Sequence, residues 1–307
     1  MQLSKVFKRN KRRKYQNLTG YIFIMPWLLG FLAFTVIPIV SSLYLSFTRY
    51  DMLSSPLWVG LGNYSEILLN DNKFWQSIKI TFSYALISVP LRLIVALFLA
   101  ILFAQKRIMV GLYRTLFYIP SLVGGSVAIA VMWRQLFGVE GALNSLLMYI
   151  GVIDKNFGWI SNPKTALWTL ILLAAWQFGS PMLIFIAGLK QIPDSYYEAA
   201  SIDGAHWWQM FVRITIPMLS PIIFFNLIMQ TIGSFMMFTS AYIVTGGGPY
   251  EQTMVYSLYL FKNAFTYYKM GYASALSWIL LFILAIVTFI LFKTSPRWVY
   301  YESKSEL

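Results

Sequence analysis

Side chains able to do chemistry are scarce in this 307-residue chain: it has 11 acids, 1 histidine and 0 cysteines. Without cysteine there is no disulfide, thiolate metal site or iron–sulfur cluster, and one histidine does not make a zinc set. His206 is read as a surface or interface residue rather than a base, which leaves every serine without a histidine partner. The nearest frame for a phosphate-binding loop, Gly158–Thr165, carries Pro163 where the second glycine is needed. No catalytic residue, metal ligand or cofactor is therefore assigned to this chain.

The polar groups suit transport better than catalysis. Every acid (positions 51, 66, 71, 140, 154, 194, 198, 203, 251, 302 and 306) lies outside the long apolar runs. A proton-driven carrier needs a carboxylate or histidine relay inside the membrane, so energy is expected from outside the chain. Sodium coupling through carbonyls and hydroxyls stays open. Within the apolar runs stand Gln177, Asn226, Gln230 and Ser234, with Trp176 and Tyr242 as large aromatics. Asn226, Gln230 and Ser234 are spaced by four and share one helix face. Amides for hydroxyls and aromatic faces for C–H surfaces would suit a sugar; hydrogen bonding between helices uses the same residue types. Arg92 adds a charge inside an apolar run, at a cost of a few kcal/mol. It has to face a protein interior, a water-filled path or, by snorkelling, the headgroups.

The elements that position these groups follow from composition. With 58% hydrophobic and 11% charged residues, the chain reads as an all-α polytopic membrane protein. A bilayer span needs about 20 apolar residues. Six are expected: 18–48, then roughly Trp75–Ala104, Thr115–Phe137, Ala166–Leu189, Ile214–Val244 and Ala273–Phe292. The first is read as a retained helix rather than a cleaved leader, with Pro26 and Pro38 as kink points. The third is broken by Pro120 and Gly124-Gly125, where the glycines allow close packing or local unwinding, and Leu143–Ile150 reads as a short amphipathic stretch. The chain is thus divided into a basic tail 1–17, the first helix 18–48, a five-helix core 75–293 and a tail 294–307. Both tails are placed in the cytoplasm, because the side that holds them carries 15 basic residues against 7 on the other. The net charge of +13 is no nucleic-acid signal: seven basic residues lie within Lys5–Lys14, without interleaved aromatics, and suit anionic lipid.

Between the fourth and fifth spans lies the longest polar interruption near the middle of the chain, the loop 194–213. Ser195 with Glu198 fits a capping box, and Pro193 suits a helix entry. Ala199 and Ala200 favour helix and leave a shallow surface, while Gly204 can take the positive φ that ends it. A second helical run is expected from about Ala205, bent by Pro217 and Pro221 as it enters the membrane.

Glu198-Ala199-Ala200, Asp203-Gly204-Ala205 and Ile216-Pro217 together resemble the EAA signature of permease subunits of bacterial ATP-binding-cassette importers. Thr245-Gly246-Gly247-Gly248-Pro249 and Met270–Ala275 resemble the sugar-importer branch. The resemblance covers most of the chain and implies the type I importer permease fold. It also implies a bacterial cell-membrane complex of two different permeases, two ATPase subunits that hold ATP and Mg, and an extracytoplasmic solute-binding protein. Glu198 would then make polar contacts or cap the helix, Ala199 and Ala200 would fit a cleft of the ATPase, and Gly204 would allow the turn beside Asp203. The cargo would be a sugar or oligosaccharide. A non-sugar cargo and a secondary carrier are the competing readings.

Overall fold

The structure is a computed structural model that describes residues 21–104 and 110–300. The basic tail 1–17, Lys106, Arg107 and Lys304 lie outside the described residues. In chain order the main helices are α1 Tyr21–Ser46, α2 Asn72–Ala104, α3 Val110–Val123, α4 Val127–Leu136, α5 Ala142–Tyr149, α6 Ala166–Trp176, α7 Gly179–Leu189, α8 Asp194–Ile202, α9 Trp207–Phe235, α10 Tyr256–Phe261 and α11 Met270–Thr294. A small antiparallel pair, β1 Thr48–Arg49 and β2 Leu57–Trp58, interrupts the otherwise helical chain. Among the described residues, four continuous helices (α1, α2, α9 and the one containing α11) are long and apolar enough to cross a membrane. The number rises to six if each of the bent pairs α3–α4 and α6–α7 is one span.

Several expected spans differ in detail. The third is two helices meeting at 97°, because the chain unwinds between Val123 and Val127 at Gly124 and Gly125. The fourth breaks by 41° between Trp176 and Gly179. The fifth begins earlier and ends earlier than expected: α9 runs Trp207–Phe235, so Tyr242 sits beyond it on a π-turn, Ala241–Thr245.

Prolines shape two of the long helices in the same way. A π-turn (Leu32–Val36 in α1, Phe211–Thr215 in α9) is followed by one isoleucine and then Pro38 or Pro217. Ile37 N–H donates to Leu32 O and Ile216 N–H to Phe211 O. Proline has no N–H and its ring crowds the carbonyl one turn back, and a wider turn before it relieves that crowding without breaking the helix.

The chain divides into two compact units, one made of residues up to Ile67 with Asn263–Trp278, the other of Leu68–Lys262 with the residues from Ile279 on. In the first, Asn63 donates to the carbonyls of Ser46 (2.8 Å) and Thr48 (2.9 Å), tying the end of α1 to the β-pair. In the second, Val89, Leu93, Ala96 and Ala100 of α2 pack on Met182, Phe185 and Ile186 of α7 and Leu219 of α9. Ala96 and Ala100 are fully buried, and such small residues let helix axes approach in a membrane, where packing rather than water exclusion drives association. Gly179 serves the same purpose between α3 and α7: a Cβ there would stand 2.9 Å from Phe117 O and 2.8 Å from Ser121 Oγ.

That packing generates a test. Gly179→Ala should lower the stability of the detergent-purified protein by about 1–3 kcal/mol, because backbone atoms must move. Gly233→Ala, where a Cβ meets nothing within 4 Å, is the control. Equal thermal midpoints for the two variants would contradict the close approach of α3 and α7.

Candidate functional site

Two places gather the candidate residues. The first lies where α6 breaks. Ending α6 at Trp176 frees carbonyls that an unbroken helix would use. Gln177 N–H takes the tighter three-residue bond to Ala174 O (3.2 Å), and Arg92 of α2 donates its Nε–H to the same oxygen. A cation at a helix C-terminus also meets the negative end of the helix dipole. The other arms of the guanidinium reach Gln230 Oε1 of α9 and, at 3.5 Å, Gln177 Oε1. Gln177 in turn donates to Gly124 O at 2.8 Å, at the break between α3 and α4. Ser121 Oγ donates to Gln177 O (2.9 Å) and accepts from Ser180 N–H (3.0 Å). One polar cluster therefore joins α2, both broken pairs and α9.

Three of the seven candidate pathway residues, Arg92, Gln177 and Gln230, are brought together here. Asn226 and Ser234 share the helix face of Gln230 as expected but are buried. Each donates to a carbonyl four residues back, Ile222 O (3.1 Å) and Gln230 O (2.8 Å). Trp176 leans on Trp133 (centroids 5.8 Å apart), whose indole N–H donates to Thr169 O. Tyr242 stands apart from this cluster. It stacks on Phe238 (5.4 Å) and lines a separate cavity with Arg134. Arg134 and Ser121 were not among the sequence candidates. The charge of Arg134 inside the expected third span was the available signal; nothing in the sequence marked Ser121.

The second place is α8. Of its nine residues none is buried, and Ile202, at 87% exposed, is an apolar side chain left without cover. Its C-terminus is closed by paired bonds, Ala205 N–H to Ala200 O (2.9 Å) and Gly204 N–H to Ser201 O (3.1 Å), with Gly204 at φ +77. This is the double closure that needs a left-handed residue after the helix, and glycine takes it without strain. The expected capping box at Ser195 is not formed. The helix starts two residues earlier than such a box requires, with Pro193 at the cap and no side-chain cap bond, so Ser195 lies inside the first turn. The following helix starts at Trp207 rather than Ala205, and there His206 N–H donates to Gln209 Oε1 at 2.9 Å. Glu198, Ala199, Asp203 and Gly204 are exposed, with Ala200 half-buried. Trp207 and Trp208, each 62% exposed, flank the turn. Tyr197 OH lies 2.9 Å from Thr215 Oγ1 and links α8 to the base of α9.

Comparison with known proteins places this arrangement. Residues 59–300 match the family described as "Binding-protein-dependent transport system inner membrane component". The chain is 56% identical, over 97% of both proteins, to the probable ABC transporter permease protein YesP of Bacillus subtilis (strain 168). It is 33% identical to the lactose transport system permease protein LacF of Rhizobium radiobacter, over 92% of this chain and 96% of that one. Among solved structures, a bacterial alginate ABC transporter, in complex with alginate pentasaccharide-bound periplasmic protein, contains a chain with the same fold. The TM-score is 0.79 at 20% identity, over 93% of this chain and 96% of that one.

The polar cluster predicts coupling between its members. In a double-mutant cycle, Arg92→Met and Gln230→Leu together should cost less than the sum of the two, by about 0.5–3 kcal/mol. Arg92→Lys should not restore stability, because an ammonium cannot span acceptors on α6 and α9 as a fork can. Additive effects in an unfolding assay in bicelles would contradict a shared cluster.

Proposed function

The chain belongs to the family of binding-protein-dependent transport system inner membrane components, and we propose that it is one permease of an ATP-driven importer of a sugar, probing its cargo inside the membrane and taking its energy from a separate ATPase. As a multi-pass membrane protein it would sit in a bacterial cell membrane with both tails in the cytoplasm. It would pair with a second, different permease and receive cargo from an extracytoplasmic solute-binding protein. ATP and Mg belong, on this reading, to the two ATPase subunits.

The observation that carries the proposal is α8. A nine-residue helix with no buried residue, two exposed tryptophans behind it and a rigid glycine closure is costly to present to water, and it gains by docking in a cleft. It stands between α7 and α9, two helices that frame the buried core, so a movement of α8 would pass directly into the spans. The sugar reading rests on relatives named for lactose and arabinooligosaccharide transport and on the neutral amides around Arg92. In residue terms, Ala199 and Ala200 would enter the ATPase cleft and Glu198 and Asp203 would make polar contacts at its rim. Gln177, Gln230 and Arg92 would face the cargo when the cluster opens, with Trp176 offering an aromatic face.

Exposed Glu198 can be changed without disturbing any bond of the fold, whereas Gly204 cannot take the φ of proline. Glu198→Lys and Gly204→Pro are both expected to stop uptake of labelled sugar into cells while leaving membrane insertion and abundance unchanged. Wild-type uptake by Glu198→Lys would count against the coupling role of α8.

A further inference from the structure

At the far end of α9 from α8, about 43 Å away along a helix of 29 residues, lies a cavity of about 460 Å³. Its size falls in the range of small-molecule sites, about 300–1,000 Å³. One wall is the end of α4, which contributes Arg134; a second is the stretch Tyr242–Pro249, and Ile160 and Ser161 complete the lining. We propose that this cavity is a subsite for an acidic sugar residue, in which the Arg134 guanidinium holds a uronate carboxylate and the Tyr242 ring faces the sugar's C–H surface. The proposal rests on the sugar reading above and narrows it to cargo that carries carboxylates.

The wall is built rather than loose. Gly246 and Gly247 take φ +62 and +91, which side chains rarely adopt. Thr253 Oγ1 donates to Gly248 O (2.6 Å) and Lys262 Nζ donates to Gly246 O (3.0 Å), pinning the stretch from outside. Tyr242 is held by stacking on Phe238 and edge contact with Phe261, yet stays 49% exposed. Preorganised walls of this kind lower the cost of ordering a ligand.

The charge balance gives the class of ligand. Arg134 is exposed and forms no ion pair among the described residues, and no acid lines the cavity. Glu251, two residues past Pro249, is drawn away by Lys73 at 2.6 Å. A second cation, Lys262, is bonded to Gly246 O from outside and does not line the cavity. Arg134 lies in the last turn of α4, where it suits the helix dipole, but that position does not require a cavity or an aromatic ring beside it. A planar guanidinium with free donors matches a carboxylate in two-point geometry.

The test uses the whole importer, purified with its partner subunits and binding protein and reconstituted in proteoliposomes. Uptake is compared for two probes, a linear trimer of hexuronic acid and the neutral hexose trimer of the same linkage. Arg134→Gln is expected to lower uptake of the acidic trimer about tenfold or more, as loss of a charge-assisted bond implies, and to leave the neutral trimer within about twofold. Arg134→Lys should lower acidic uptake by less than Arg134→Gln does, since the charge remains but the two-point geometry is lost. Equal loss of both probes would overturn the proposal and point to docking of the binding protein at Arg134. Uptake of the neutral trimer alone, unaffected by Arg134→Gln, would overturn the proposal but keep the sugar importer. Uptake of neither trimer by the wild type would overturn both.

Discussion

A guanidinium among apolar helices has to find acceptors, and in this protein a broken helix supplies them. Arg92 donates to Ala174 O because α6 stops short at Trp176 and leaves that oxygen to be shared. The same side chain reaches Gln230 on α9 and, more distantly, Gln177 just past the break. The break and the arginine therefore satisfy each other: α6 ends with a carbonyl to share, and the guanidinium supplies the donor. Gln177 extends the cluster to Gly124, where the α3–α4 pair also comes apart. Interrupted backbone is tolerated in a membrane where it is buried in protein or lines a water-filled cavity, and here protein groups satisfy it. Here that condition fixes the positions of α2, α6, α7 and α9 relative to one another.

The same reasoning applied to the surface singles out α8. Gln177, Asn226, Gln230 and Ser234 in the spans are hydrogen-bonded to backbone or to Arg92, and the helix bases are tied together, as at Tyr197 and Thr215. Outside the spans, α8 is a short helix with no buried residue, followed by an exposed tryptophan pair. Its closure through Gly204 makes it stiff, and α9 follows it after only four residues, Asp203–His206. A stiff element joined so closely to a long helix can transmit a displacement with little loss. Gln230 lies on that helix and Ala174 O does not, so a shift of α9 would strain the Arg92 cluster first. This gives the ATP-driven reading a physical route from α8 to the interior.

Much of this could be read in the sequence, and for identifiable reasons. Long apolar runs gave α1, α2 and α11 to within a few residues, because a bilayer demands length and makes charge costly. The motif around Glu198 and Gly204 gave α8, because left-handed closure selects glycine. Of the two breaks, the one at Gly124-Gly125 was legible and the one at Gln177 was not. Gly124-Gly125 allowed either packing or unwinding, and both occur: the helix unwinds there while Gly124 O accepts from Gln177. The break at Gln177 carries no strong local signal, since Gly179 and Pro181 fit a helix start as well as a helix interruption. Ser195 looked like a cap because its spacing to Glu198 is right, but the helix begins two residues earlier than that cap requires. Asn226 and Ser234 share a face with Gln230, yet spend their donors on their own helix. Periodicity shows which residues share a face; it does not show which hydrogen bond each will choose.

The central claim is that α8 exists to dock on an ATPase carried by another chain. The most direct measurement is affinity purification of this protein from its native membrane in mild detergent, with the copurifying chains identified and ATP hydrolysis assayed. The account predicts a phosphate-binding-loop ATPase and a second permease in the purified complex, with hydrolysis that is lost when the ATPase is stripped off. Recovery of this chain alone, with no hydrolysis and with uptake intact in vesicles lacking ATP, would contradict it.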